Sequence, residues 1–163
     1  MQSAATRRPN HRNRIRTMLT HRAKYAIKAL LHLVEHRGKG PVSAASIATQ
    51  QRIPSKFLEL ILLQLRNSGI IRSKIGKKGG HELIHEPADI DLLTVVRVID
   101  GPIAPQPCLS KTAYSRCEDC PDEKTCGARL LLKGVHEAAL EIMGRTTLAD
   151  ASMAKPAQRK QAR

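Results

Sequence analysis

The sequence predicts a mainly α fold with one small β-hairpin and a long C-terminal helix. Three observations carry that expectation. Apolar residues recur at helical spacing over most of the segment from Thr20 to Asp100. One interruption, "IIRSKIGKKGGHELIH", alternates and then turns on glycines. A final stretch, "GARLLLKGVHEAALEIMGR", repeats apolar residues at spacings of three and four.

From Thr20, Ala23, Ile27, Leu30, Leu31 and Val34 form one apolar stripe, which Gly38 and Gly40-Pro41 bring to an end. Ser43 is placed to cap a second short helix, "SAASIATQQR", with Ile47 and Ala48 inward. After a break at "IPS", a third helix turns Leu58, Ile61, Leu62 and Leu65 to the core and stops at Gly69. Two helices with so short a break have the dimensions of a helix-turn-helix. Ile71, Ser73 and Ile75 alternating with Arg72 and Lys74 read as a strand, "GKKGG" as its turn and "HELIH" as the return. A hairpin directly after a helix-turn-helix is the wing of a winged-helix domain. A fourth helix, "LLTVVRVIDG", presents Leu92, Val95, Val96 and Ile99 before Gly101-Pro102.

The expected organisation is a basic disordered extension over 1–17, a winged helix-turn-helix domain over 18–101 and a cysteine-bearing loop over 102–126. A dimerisation helix and its end follow over 127–150, and a basic disordered tail over 151–163. In the last helix Ala128, Leu131, Val135, Ala138 and Ile142 make an a/d seam, either against the chain's own domain or against a second copy.

The formal charge is +14. Arg7, Arg8, Arg12, Arg14 and Arg16 at one end and Lys155, Arg159, Lys160 and Arg163 at the other supply nine of those charges. Such tails are ordinarily solvated. The informative cations are on the hairpin: Arg72, Lys74, Lys77 and Lys78, with no acid among them. A thin basic tip suits a minor groove and phosphates. The first turn of the third helix offers Ser55, Lys56 and Glu59 to base edges in a major groove. Double-stranded DNA is therefore the expected partner.

All four cysteines lie in "CLSKTAYSRCEDCPDEKTC", as Cys108, Cys117, Cys120 and Cys126. No apolar leader or span of about 20 residues is present, so a cytoplasmic, reducing setting without a membrane partner is expected and disulfides are disfavoured. Glu118, Asp119, Asp122 and Glu123 would raise the thiol pKa and oppose a redox role. Metal ligation fits better, and spacing leaves zinc and an iron–sulfur cluster both open. No Ser/His/Asp set, phosphate-cradling loop or paired carboxylates suggests an enzyme or a small-molecule substrate. His21, His32, His36, His81, His85 and His136 read as scattered over separate elements, each an ordinary surface or core histidine.

The stretches "LTHRAKYAIKALLHL", "GPVSAASIATQQRIPSKFLELILLQLRNSGIIRS", "GKKGGHEL" and "DLLTVVRVIDGP", with a cysteine loop after them, resemble the Rrf-two family of bacterial winged-helix repressors over about residues 18–150. The resemblance implies a homodimer paired through the last helix. It also implies an operator-binding transcriptional regulator sensing iron, redox state or nitric oxide through an iron–sulfur cluster, of 2Fe-2S or 4Fe-4S type. Cys120 and Cys126 match the family's last two ligands. Tyr114 stands where the first ligand usually lies, with Cys117 closer and Cys108 farther. Arg129 replaces the histidine of one branch, and Lys24 the acid of another, which makes Cys108 the candidate fourth ligand. On the wing, Ile75 stands where members place a minor-groove arginine. The alternative is a zinc-stabilised or metal-free regulator of the same fold, controlled by another signal.

Overall fold

Thr20 joins two helices: its hydroxyl accepts from the Ala23 amide at 3.2 Å and donates to Asp100 Oδ1 at 2.5 Å. It thereby caps α1 (His21–Glu35) and ties it to the end of α4 (Leu92–Asp100). The computed structural model describes residues 19–153 except 77 and 121. The expected extension over 1–17, Lys77 and most of the tail lie outside the described residues.

α1 is the centre of the molecule and packs against α2 (Ala44–Gln51), α3 (Ser55–Asn67), α4, α6 (Leu148–Met153) and β2 (Gly80–Leu83). Being surrounded, it buries more than a single stripe. Ala23, Ala26, Ala29, Leu30 and Leu33 are buried, while Ile27, Leu31 and Val34 are partly buried against the same core. The alanines let neighbouring helices approach closely.

α2 is capped by Ser43, which accepts from Ser46 N at 3.2 Å. The turn into α3 is made by Arg52 in the left-handed region, at φ 52° and ψ 52°. The Ile53 amide closes it onto Ala48 O at 2.9 Å, and the Ile53 side chain is buried. In α3, Leu58, Ile61, Leu62 and Leu65 are buried, the four positions that the spacing predicts. Gly69, at φ 75°, terminates it with paired bonds from Gly69 N to Arg66 O and from Ile70 N to Leu65 O.

The wing pairs β1 (Ile71–Lys74) with β2 antiparallel, with Arg72 opposite Glu82. β1 stops at Lys74, and Ile75, expected to continue the alternation, is wholly exposed. The α1–α2 loop joins the hairpin through reciprocal Val42–His81 bonds of 2.9 and 2.8 Å. A Cβ on Gly80 would meet the Val42 carbonyl at 2.5 Å, so a side chain there would push the loop off.

After α4, a 3₁₀ turn (Pro107–Leu109) and an irregular loop lead to α5 (Gly127–Arg145). α5 returns to the domain at its C-terminal end. Met143 and Leu148 join the common core, and Leu92 N–Thr146 O and Leu148 N–Ile90 O bonds of 2.8 and 3.0 Å seal the junction. α6 runs to Met153, past the expected boundary at 150.

Candidate cysteine pocket and nucleic-acid interface

The loop between α4 and α5 brings all four cysteines to one cavity of ≈ 260 Å³, shared with Gln106, Asp119, Asp122, Thr125, Ala128 and Arg129. The 3₁₀ turn buries Cys108; Cys117, Cys120 and Cys126 are half-buried, and all four are free thiols. Each is held by local backbone structure. Cys120 N donates to Cys117 O at 3.2 Å, Arg116 donates to Cys120 O at 3.0 Å, and Cys126 is the N-cap residue of α5. The Asp122 carboxylate accepts from Lys124 N and the Thr125 hydroxyl, both at 3.1 Å.

Arg129 takes a place in this geometry that its sequence position alone does not reveal. Its guanidinium donates to the Cys108 carbonyl and pairs with Glu123 at 3.2 Å. The most distant cysteine is thus clasped to the first turn of α5. A hydrogen bond with Cys108, followed by burial, pushes the Cys117 thiol up; burial and the neighbouring Cys126 do the same at Cys120. Raised thiols are poor nucleophiles, which agrees with the sequence argument against thiol redox chemistry. Thiols of this kind become metal ligands by losing protons to the metal.

Ser55, Lys56 and Glu59 are exposed on the first turns of α3. Phe57, Leu60 and Leu63 also face outward on this helix. The wing's charges also differ from their sequence reading. Arg72 and Lys74 are both exposed, yet both reach Glu82, at 2.5 and 3.0 Å, across the hairpin. The cation cluster therefore includes an acid, and those two partners, Lys74 first, hold the Glu82 carboxyl below its ordinary range. Lys78 is exposed near the tip.

On α5, Leu131, Val135, Ala138 and Ile142 are all exposed, Leu131 at 80% and Val135 at 70%, whereas His136 and Met143 are buried. The seam therefore does not pack against its own domain.

The histidines are not all scattered over separate elements: His21 and His32 lie on α1 and His36 is its C-cap residue, and the His32 and His36 rings lie 4.2 Å apart between centroids, tilted by 43°. With Glu35 they form the one group, among the described residues, of three or more His, Cys or carboxylate ligands lying within 4.8 Å of one another. Their i, i+3, i+4 spacing is the signal that could have found them. No three of the four sulfurs form such a group.

Among the described residues no helix is long and apolar enough to cross a membrane. A family model described as Rrf2, iron-dependent transcriptional regulator, matches residues 19–153. An rrf2-like HTH-type transcriptional regulator of Rhodobacter capsulatus is 43% identical over 136 residues, 82% of this chain and 91% of that protein. The solved structure of CymR, the global cysteine regulator of B. subtilis, matches with a TM-score of 0.70 at 29% identity, over 85% of this chain and 98% of that one. T. potens IscR matches with a TM-score of 0.65 at 28% identity, over 86% and 92%. The architecture is the winged helix of these regulators.

Proposed function

This chain belongs to the Rrf2 (Rrf-two) family of transcriptional regulators, and on that footing we propose that it is a homodimeric, sequence-specific DNA-binding repressor governed by an iron–sulfur cluster. The observation that carries the reading is the convergence of Cys108, Cys117, Cys120 and Cys126 on one cavity at the base of α5. Four thiolate donors suit a soft, multi-iron group. Such a cluster supplies a centre that responds to iron supply, redox state or nitric oxide.

The chain's own residues then do three things. Arg129 holds Cys108 against α5, so the ligand loop and the dimer helix are linked. Ser55, Lys56 and Glu59 meet the major groove, while Arg72, Lys74, Lys77 and Lys78 carry the wing toward phosphates and the minor groove. Leu131, Val135, Ala138 and Ile142 pair with the same residues of a second copy and set the separation of the two recognition helices. The loop over 102–126 joins the DNA-binding part to that pairing helix, so a change in how it is held changes the separation.

A second reading, zinc or no metal with another signal, draws support from the likeness to CymR, a cysteine regulator. The experiment is DNA affinity by fluorescence anisotropy, on a site selected from random sequence, for cluster-loaded and stripped protein. We expect a difference of about 5–150-fold, abolished together with the cluster in Cys120→Ala. A Cys120→Ala protein that keeps both its cluster and cluster-dependent DNA binding contradicts the proposal.

A further inference from the structure

His32 and His36, the C-cap residue of α1, are one turn apart, and Glu35 places its carboxylate 3.8 Å from His32 Nδ1. A metal ion needs three things of such a group: donors on one face, lone pairs on the correct nitrogens, and a route in. The first is met, since the three ligand atoms lie within 4.8 Å of one another. The second can be read from the hydrogen bonds. His36 Nδ1 lies 2.9 Å from the His32 carbonyl, and a carbonyl only accepts, so Nδ1 carries the proton and the Nε2 lone pair is available. Anchoring one ring nitrogen on a backbone carbonyl is how proteins orient an imidazole for a metal.

At His32 the Gln51 side-chain amide, on the last residue of α2, reaches Nδ1 at 3.3 Å. With the Gln51 N–H as the donor, Nδ1 is the lone-pair nitrogen, and it lies 3.8 Å from the Glu35 carboxylate. As for the route in, His32 is buried, but His36 lines two adjoining clefts, one running to β2 and one to Lys78 and Gly79 on the wing.

We propose that His32, Glu35 and His36 form a binding site for one divalent ion of the zinc class. Its donors are two imidazoles and a carboxylate, the harder set that zinc or nickel accepts, in contrast to the all-thiol pocket. Small side-chain rotations close the three ligands on the ion, and the Gln51 amide yields its place on Nδ1. Because Gln51 ends the first helix of the helix-turn-helix, the ion acts on the junction of α1 with the DNA-reading unit. The site is independent of whatever occupies the cysteines.

The test is zinc titration of the full chain with the four cysteines replaced by serine, alone and combined with His36→Gln or Glu35→Gln. The cysteine-free chain should retain one zinc after gel filtration. Either further substitution should weaken binding on the order of tenfold or more, with the circular dichroism unchanged. In the chain that keeps its cysteines, His36→Gln should lower retained zinc by one equivalent, a readout that does not depend on the serine variant folding. No zinc on the cysteine-free chain overturns the proposal, as does equal zinc with and without His36 in the chain that keeps its cysteines.

Discussion

His81 shows how much one side chain on the wing depends on its neighbours. It stands after Gly80, bridges to the Val42 backbone, and lies 3.0 Å from the Ser73 hydroxyl. Burial first, and the Arg66 guanidinium second, hold its imidazole below the ordinary 6.5. The folded chain therefore keeps His81 neutral where the unfolded chain takes up a proton. Its contribution to stability is full above pH 6.5 and is lost as pH falls from 6.5 to the folded value, below which the loss levels off. Melting temperature measured between about pH 5 and 8 should fall on acidification, and His81→Phe should flatten that dependence. A variant as pH-sensitive as the parent would remove His81 as the cause. Glu82 acts in a lower window, because Lys74 and Arg72 depress its carboxyl; what it gives is present above the ordinary carboxylate range and lost on acidification through its folded value. Neither partner of Glu82 is apparent from local sequence, since Arg72 meets it only through the hairpin register. The His32–Glu35–His36 group, by contrast, is legible from spacing once α1 is known to be a helix.

Among the elements, α3 was the most legible, because a period of 3.6 residues and a terminal glycine specify both its buried face and its end. The turn before it was not. Arg52 occupies a left-handed conformation, costing about 1–2 kcal/mol, where a glycine would have signalled the turn. The buried Ile53 and the Ile53 N–Ala48 O bond offset that cost, and neither is evident until the helices are packed. The periodicity of α5 identifies its seam but not what covers it. Exposure of Leu131 and Val135 rules out the chain's own domain and leaves a second copy as the proposed cover. Replacing both with Glu should convert dimer to monomer in light scattering while helical content is kept, since each buried apolar side chain contributes about 1.5–3 kcal/mol to an interface of this kind. An unchanged mass would exclude this seam.

At the scale of the molecule, the chain closes on itself, as the short "TTLADA" segment after Gly144 suggests. The end of α5 and the start of α6 return to the segment that opens α4, through bonds between Ile90–Leu92 and Thr146–Leu148 whose partners no local pattern specifies. Anchored there, α5 extends to Cys126 and Arg129, so the same helix borders the core, the proposed dimer seam and the thiol cavity. Regulation in this account depends on that continuity and on what the thiols hold. The most direct measurement is iron and acid-labile sulfide per chain, with the visible spectrum, on protein purified without oxygen. The account predicts a brown protein with iron and sulfide in equal amounts, both lost in Cys120→Ala and in Cys126→Ala. Colourless protein carrying stoichiometric zinc in the cysteine pocket, or no metal at all, would contradict it.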